Sequence, residues 1–211
     1  LRTHFMTKTK LHNILTIFVL IMAIIQAPLI YYYTFGLFSF FIAMPYLVIG
    51  LGLTVWLLTV VLKNTKSEET KFQKIGVVLT ILIGSLTLFF GEDLIEKLDW
   101  HLRKTSRDEI IELIKADKLR PNVSQNNIIC TLDNWNIPPI SNGGNEIAIH
   151  KTVENKLTVE FYINRGFLDH YSAFVYTDDE DKIKELEERM TWEKGLHVNK
   201  KLEENWYRVS F

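Results

Sequence analysis

The chain has 211 residues and a net charge of −1, and this balance conceals two halves of opposite charge. Residues 1–91 carry seven Lys/Arg and two acids, a net charge of +5, whereas residues 92–211 carry 17 basic and 23 acidic residues, a net charge of −6. The acidic half argues against nucleic acid as a partner, because phosphate binding requires clustered Lys and Arg. Cys130 is the single cysteine, which excludes an intramolecular disulfide and a cysteine-based zinc site.

Three apolar segments in the first 91 residues predict a membrane anchor, with transmembrane helices at about 12–33, 36–62 and 73–91. Crossing the hydrocarbon core takes about 20 apolar residues, a length that the first two segments reach. The third apolar run, Ile75–Phe90, is short, but the flanking Lys71 and Lys74 can extend it by snorkelling. A buried or interfacial helix is the alternative for this third run. We interpret the first span as an uncleaved signal anchor.

Residue types within the spans limit the functions that they support. Glycines 50 and 52 in the second span and glycines 76 and 84 in the third are small enough to allow close helix packing. Ion pathways and proton relays usually require ionisable side chains inside the membrane, and these spans have none. A pump or a coupled transporter is therefore disfavoured.

The placement of Lys and Arg predicts the orientation. The N-terminal tail carries three and the loop between the second and third spans carries four, all on one side of a three-span bundle. The other side has four, after the third span: Lys97, Arg103, Lys104 and Arg107. The excess of positive charge favours a cytoplasmic N-terminus and an extracytoplasmic C-terminal domain, in a multi-pass protein of the cell membrane.

Residues 92–211 predict a small α+β domain with an antiparallel sheet and helices on one face. Leu94, Leu98 and Leu102 recur every four residues, which predicts that the third span continues out of the membrane as a helix with one apolar stripe. The pattern from Ser106 to Glu109 is typical of a capping box and predicts a separate helix over Arg107–Asp117.

Alternation of apolar and polar residues predicts the strands. Leu157–Asn164 is the clearest period-two segment, and shorter strands are expected at Asn127–Thr131 and around Ile147–Ile149. Leu168–Tyr176 is apolar on both faces, which predicts a central strand.

The C-terminal segment is expected to add a helix and a hairpin. Thr177–Glu180 has a second capping-box pattern and predicts a helix over Asp178–Met190. Leu196–Lys200 and Trp206–Phe211 predict two strands joined by a turn. The order of these strands and turns therefore predicts an antiparallel sheet with hairpin-like connections.

Four residues are candidates for chemistry. Asp169 and His170 are adjacent and suggest a general base, but neighbouring strand residues point to opposite faces and would not pair. His150 and His197 stand alone, without the spacing expected of metal ligands. We predict no catalytic, cofactor-binding or metal-binding residue and no cofactor, and we leave open whether any of these four residues is functional.

Two other motifs have structural explanations. Ser141 lies in Ile-Ser-Asn-Gly-Gly rather than in a Gly-x-Ser-x-Gly elbow, and the glycine pair is better explained by a turn that needs positive φ. The acidic run 178–181 suggests a calcium cluster, but it occupies a helix N-terminus, where acids are stabilised by the helix dipole. Neither motif predicts a site.

Several short segments resemble small uncharacterised bacterial membrane-anchored α+β proteins. They are the nine residues from Arg107 to Lys115, Leu119–Asn122, Ser141–Gly144, Asn164–Gly166, Phe174–Thr177 and Asn205–Tyr207. Some proteins of this layout accompany secreted toxins as immunity partners, so the resemblance implies immunity as one candidate role. The Ile-, Lys- and Asn-rich composition is also typical of low-GC bacterial genomes.

The leading hypothesis is a non-enzymatic bacterial membrane protein that displays a small domain outside the cytoplasm to bind another membrane or secreted protein. The predicted contact surfaces are the acidic helix Asp178–Arg189 and the aromatic region around Tyr171, Phe174 and Tyr176, of which the aromatic region is expected to lie mostly in the core. The alternatives are a cell-envelope hydrolase that uses Asp169 or His170, and an accessory sensor subunit that signals through residues 91–104.

Overall fold

The computed structural model describes residues 8–63, 71–132, 137–166, 170–192 and 199–211. The helices are α1 (Lys8–Tyr33), α2 (Gly36–Lys63), α3 (Lys71–Lys115) and α4 (Glu180–Trp192). The strands are β1 (Ile129–Thr131), β2 (Glu146–Lys151), β3 (Leu157–Arg165), β4 (Tyr171–Thr177), β5 (Lys200–Glu203) and β6 (Trp206–Ser210). The chain divides into two compact units, Leu1–Ile30 with Phe38–Ile95 and Tyr31–Leu37 with Glu96–Phe211.

The first unit contains most of α1 and α2 and the apolar part of α3. All three helices are long and apolar enough to cross a membrane, which confirms the prediction of three such helices. Leu57 and Val61 of α2 pack with Val19 of α1 and Val77 of α3 in a shared apolar core. Most of the other large apolar side chains of these helices are exposed, as expected for surfaces that face lipid.

Small residues bring α1 and α3 into close contact. A Cβ atom added to Gly76 would overlap the methyl group of Thr16, and one added to Gly91 would lie 2.5 Å from the Cβ atom of Ala27. The hydroxyl of Thr87 donates to the carbonyl of Ala23 at 3.2 Å. The expected close packing therefore occurs at Gly76, whereas Gly52 faces open space.

Helix α3 is unbroken from Lys71 to Lys115, so the predicted continuation beyond the apolar segment is confirmed. The separate helix predicted at Arg107 is wrong, because Ser106 lies in the interior of α3. No glycine or proline occurs between Glu92 and Lys115, so nothing in the sequence interrupts the hydrogen-bond ladder. The helix ends where Asp117 adopts a φ of 57°.

The second unit is built on a six-stranded antiparallel sheet in the order β1-β2-β3-β4-β6-β5, which confirms the α+β class. Strand β4 lies between β3 and β6, as its apolar character on both faces predicted. Strands β5 and β6 form a hairpin as predicted. Strand β5 shares only Lys200 with the predicted strand Leu196–Lys200, of which Leu196–Val198 lie outside the described residues.

The two helices of this unit pack on opposite faces of the sheet, so the expectation of helices on one face is wrong. Leu186 of α4 packs in a cluster with Ala173, Val175 and Tyr207. On the other face, Trp100 of α3 lies 5.1 Å from the ring centre of Phe174. Successive residues of β4 alternate between these two cores, which explains why both of its faces are apolar.

The leucine stripe of α3 does not face the sheet. Leu98 is 46 % exposed and Leu102 is 78 % exposed, whereas Trp100 between them is 6 % exposed. The sheet instead contacts a stripe of α3 that carries charged residues. Amphipathic periodicity therefore predicted the helix but not which side of it is buried.

The N-terminus of α4 also differs from the prediction. The helix begins at Glu180, and Asp179 caps it by accepting the N–H of Asp181 at 3.0 Å. The carboxylate of Asp178 accepts the N–H of Leu157 at 2.6 Å and so joins β3 to this turn. The acidic run therefore serves as a helix cap and a loop connection.

Candidate functional site

The histidines do not form a shared site within the described residues. His150 is exposed near the end of β2, opposite Thr158 of β3, and His170 is exposed just before β4. The start of β4 pairs with Arg165 at the far end of β3, about 23 Å from Thr158 at ~3.3 Å per residue. Asp169 and His197 lie outside the described residues.

Metal and thiol chemistry find no support in the described part of the chain. In that part, no group of three His, Cys, Asp or Glu side chains is arranged to hold a metal ion. Cys130 is fully buried in β1 and is aligned with Ile147 of β2, where it fills space in the core.

An open groove of about 770 Å³ lies at the C-terminal end of α3, beside β1 and β2. Its charged lining consists of three cations and two carboxylates: Lys115, Arg120, Lys151, Asp117 and Asp178. Apolar side chains and amides complete the wall: Pro121, Ile128, Ile149, Leu157, Asn127 and Asn155. The groove is thus assembled from the end of α3, the segment before β1 and the hairpin of β2 and β3.

Asp117 organises the cations of this groove. Its carboxylate accepts a hydrogen bond from Nε of Arg120 at 2.6 Å and lies 3.6 Å from Nζ of Lys151. The hydrogen bond from Arg120, together with the charges of both cations, lowers the pKa of Asp117. About half of the Asp117 side chain and two-thirds of the Arg120 side chain are exposed to solvent.

The two lysines of the groove are held by different contacts. Nζ of Lys115 lies 5.0 Å from the ring centre of Tyr176, whose hydroxyl raises the pKa of this lysine. Nζ of Lys151 donates to the carbonyl of Ile114 at 3.3 Å. Both ammonium groups are therefore held in place by neighbouring protein atoms.

Both edges of the described sheet are protected against the addition of another strand. Asn122 donates its N–H to the carbonyl of Ile129 at 3.1 Å and exchanges two side-chain hydrogen bonds with the backbone of Thr131. The opposite edge, β5, carries Lys200, Lys201 and Glu203. The exposed backbone of these edges is therefore poorly suited to pairing with another strand.

A charged stripe on α3, defined as Glu96, Asp99, Arg103 and Arg107, faces the sheet. Arg107 is 1 % exposed, pairs with Asp99 and lies 4.6 Å from the ring centre of Phe174. Glu96 accepts hydrogen bonds from Arg208 of β6 at 3.1–3.3 Å. Sequence reasoning missed this stripe, although its spacing of three, four and four residues is the spacing of one helix face.

The loop 141–144 contacts the turn between α1 and α2, within the second unit. Nδ2 of Asn142 donates to the carbonyls of Tyr31 at 2.7 Å and Thr34 at 3.1 Å. Gly143 and Gly144 have φ angles of 81° and 95°, which confirms that this glycine pair makes a turn that needs positive φ. The role of the preceding asparagine was not predicted, because its acceptors lie more than 100 residues earlier in the chain.

The predicted contact surfaces differ in accessibility. Helix α4 exposes most of its acids, and Lys182 pairs with Glu185 at 2.9 Å. Phe174 and Tyr176 are buried against α3 and are not available to a partner, in line with the expectation that this region is mostly core. Tyr171 is partly exposed and stacks on Phe211 at 4.6 Å between ring centres.

The comparisons with known proteins give no relative for this chain. No protein-family model, no curated protein and no solved structure matches it. The geometry of the described residues is therefore the basis for proposing a function.

Proposed function

We propose that this chain is a bacterial multi-pass membrane protein that presents its α+β domain outside the cytoplasm to bind a protein partner. Helices α1, α2 and α3 are long and apolar enough to cross a membrane. The excess of Lys and Arg in the N-terminal tail and in the loop 63–74 favours a cytoplasmic N-terminus.

The observation that carries this proposal is the groove at the C-terminal end of α3. Its volume of about 770 Å³ falls within the ~300–1,000 Å³ range of ligand pockets, so it can take side chains of a partner. Arg120 and Lys151 present positive charge beside the apolar surface of Ile128, which is 37 % exposed. The partner is an acidic and partly apolar protein segment, from an envelope protein or a secreted toxin; a toxin would make this chain its immunity protein.

A co-purification experiment tests the groove directly. Full-length protein would be isolated from its native membranes, with and without added secreted proteins, and the retained proteins identified. Arg120→Glu combined with Lys151→Glu reverses two charges and should abolish retention of the partner, while higher salt should weaken it in the wild type.

The matched control is Lys184→Glu, a charge reversal at an exposed lysine of α4, on the other face of the sheet. This variant should retain the partner. Equal retention by the groove variant and the wild type, or no specific protein retained by the wild type, would contradict the proposed site.

The orientation has its own test. A reporter that is active only outside the cytoplasm, fused after Phe211, should be active. Activity of a reporter that works only in the cytoplasm would reverse the orientation and place the groove inside the cell.

An accessory sensor subunit is the second candidate, and the unbroken helix α3 favours it. This helix has 45 residues and includes both the apolar segment and the stripe that contacts the sheet. A flexible Gly-Gly-Ser insertion after Asp93 should then abolish signalling to another membrane protein without affecting partner retention. Unchanged signalling would contradict the sensor role and leave partner binding as the one proposed function.

A further inference from the structure

A second cavity, of about 260 Å³, lies among the three apolar helices of the first unit. All three helices line it, with Val19 and Gln26 among the lining residues of α1, Tyr46 and Thr54 among those of α2, and Thr80 and Leu88 among those of α3. No lining residue carries a charge, and the apolar side chains include Leu47, Leu51 and Ile81. A charged ligand or a lipid headgroup is therefore unsuited to this cavity.

Three hydroxyl groups of the cavity lining are bonded to the helix backbones. The hydroxyl of Tyr46 donates to the carbonyl of Met22 at 2.5 Å. Thr54 donates to the carbonyl of Gly50 at 2.7 Å, and Thr80 donates to the carbonyl of Gly76 at 2.8 Å. These bonds turn the polar atoms toward protein, so that the surface left for a ligand is mainly hydrocarbon.

Gln26 is a polar lining residue with more hydrogen-bonding capacity than these three bonds use. It is 8 % exposed, and its one hydrogen bond within the described residues runs from Nε2 to the carbonyl of Gly84 at 3.4 Å. A carboxamide has two N–H donors and a carbonyl acceptor, so most of this group is still unpaired. Among apolar helices such an amide is stabilised by a ligand atom that hydrogen-bonds to it.

We propose that this cavity binds one membrane lipid, whose hydrocarbon chain fills the apolar space and whose ester carbonyl oxygen accepts a hydrogen bond from the Gln26 amide. The uncharged wall favours the hydrocarbon chain of the lipid over its charged headgroup. Gln26 favours a lipid with a carbonyl oxygen next to that chain. The inference uses membrane insertion of α1–α3 but is independent of the groove at the end of α3.

Native mass spectrometry of the full-length protein tests the proposal. The protein would be extracted with the lipids of its host membrane and delipidated in steps by detergent. The wild type should retain one lipid after the surrounding lipids are lost. Gly50→Leu places a side chain toward Met22, whose terminal methyl would lie 3.4 Å from the new Cβ, and should lower the retained fraction about tenfold.

Gly52→Leu is the matched control, because Gly52 lies on the same helix and a Cβ there meets no atom within 4 Å. It makes the same substitution outside the cavity and should retain the lipid as the wild type does. Equal retention by Gly50→Leu and Gly52→Leu, or complete loss of lipid from the wild type at the first delipidation step, would overturn the proposal.

Gln26→Leu separates the role of the amide from that of the apolar wall. The wild type should bind ester-linked lipids more tightly than ether-linked lipids of the same chain length, because only the ester supplies a carbonyl oxygen. The variant should lose this preference while still binding a chain. A preference that persists in Gln26→Leu would rule out the amide contact, and recovery of each variant from the membrane fraction as a monodisperse protein excludes misfolding as the cause.

Discussion

The carboxylate of Asp99 pairs with Arg107, and both side chains are buried between α3 and the sheet. The same carboxylate accepts the hydroxyl of Tyr32 at 2.9 Å and a guanidinium N–H of Arg103 at 3.3 Å. One acid on α3 therefore holds two arginines of its own helix and a tyrosine in the last turn of α1. We expect this cluster to be the most sensitive polar feature of the domain.

Removing this acid should destabilise the domain strongly. Asp99→Ala leaves the Arg107 charge buried without its partner, and breaking a buried pair costs about 3–5 kcal/mol. Chemical unfolding of the purified full-length protein, followed by near-UV circular dichroism, measures the change. Glu185→Ala breaks an exposed pair with Lys182 and should cost at most ~1 kcal/mol.

A double replacement distinguishes charge burial from simple loss of packing. Asp99→Leu with Arg107→Met removes both charges and keeps the space filled, so it should recover a large part of the stability that Asp99→Ala loses. If the double variant is as unstable as the single one, the charges themselves are not the reason for the loss.

The exposed leucines of α3 should tolerate change. Leu102→Ser alters a side chain that is 78 % exposed and should change the free energy of unfolding by less than ~0.5 kcal/mol. Trp100→Ala removes a buried ring between Phe174 and Trp206 and should cost about 3–5 kcal/mol. The opposite ranking would mean that the leucine stripe, and not the charged stripe, faces the sheet.

The sequence predicted that α3 is helical beyond the apolar segment, but not that it is unbroken to Lys115 or which side of it faces the sheet. Periodicity and the lack of Gly and Pro indicate a helix from short-range information. Burial of the charged stripe depends on Arg208, on the carbonyl of Pro139 and on Tyr32, which are distant in sequence. A single sequence does not show which distant groups form hydrogen bonds with Glu96, Arg103 and Asp99.

The same limit applies to the sheet and the groove. The apolar composition of Leu168–Tyr176 predicted a central strand, because the signal lies within one short run of consecutive residues. The placement of α3 and α4 on opposite faces depends on how the chain crosses the sheet, which no local pattern encodes. The groove combines Lys115, Arg120 and Lys151 from separate segments, and it was not predicted for the same reason.

Asn142 should be needed to hold the turn between α1 and α2. Asn142→Asp keeps the size of the side chain but removes both N–H donors, and it places a carboxylate next to the carbonyls of Tyr31 and Thr34. Leaving buried polar groups unsatisfied costs ~1–3 kcal/mol. Hydrogen exchange at the amides of residues 34–37 should accelerate; Asn127→Asp, an exposed change in the groove, should leave this exchange unaltered.

The domain should lose stability at alkaline pH through Tyr171. Burial, and then the charge of Glu160 and its hydrogen bond from the phenol at 2.9 Å, raise the pKa of Tyr171 well above its ordinary value of about 10. Above about pH 10, Tyr171 keeps its proton in the folded state but has lost it in the unfolded state. The resulting stability is complete below about pH 10 and is lost as the pH rises further.

Tyr171→Phe removes this titration and should flatten the fall in the unfolding midpoint above about pH 10. Tyr33→Phe, at a partly exposed tyrosine of α1, provides the comparison for the loss of one phenol. If the pH profile of Tyr171→Phe coincides with that of the wild type, the titration of Tyr171 is not the cause of the alkaline loss of stability.

Close packing of α1 against α3 should depend on Gly76. A methyl group there would overlap the side chain of Thr16, which is itself 1 % exposed and has no room to move aside. Gly76→Ala should therefore force the helices apart and cost about 1–3 kcal/mol, the range for overpacked sites. The same change at Gly52, which faces open space, should be neutral or slightly stabilising because alanine favours the helix. Thermal unfolding of both variants in the same detergent would measure the difference, and equal midpoints would argue against contact between Gly76 and Thr16.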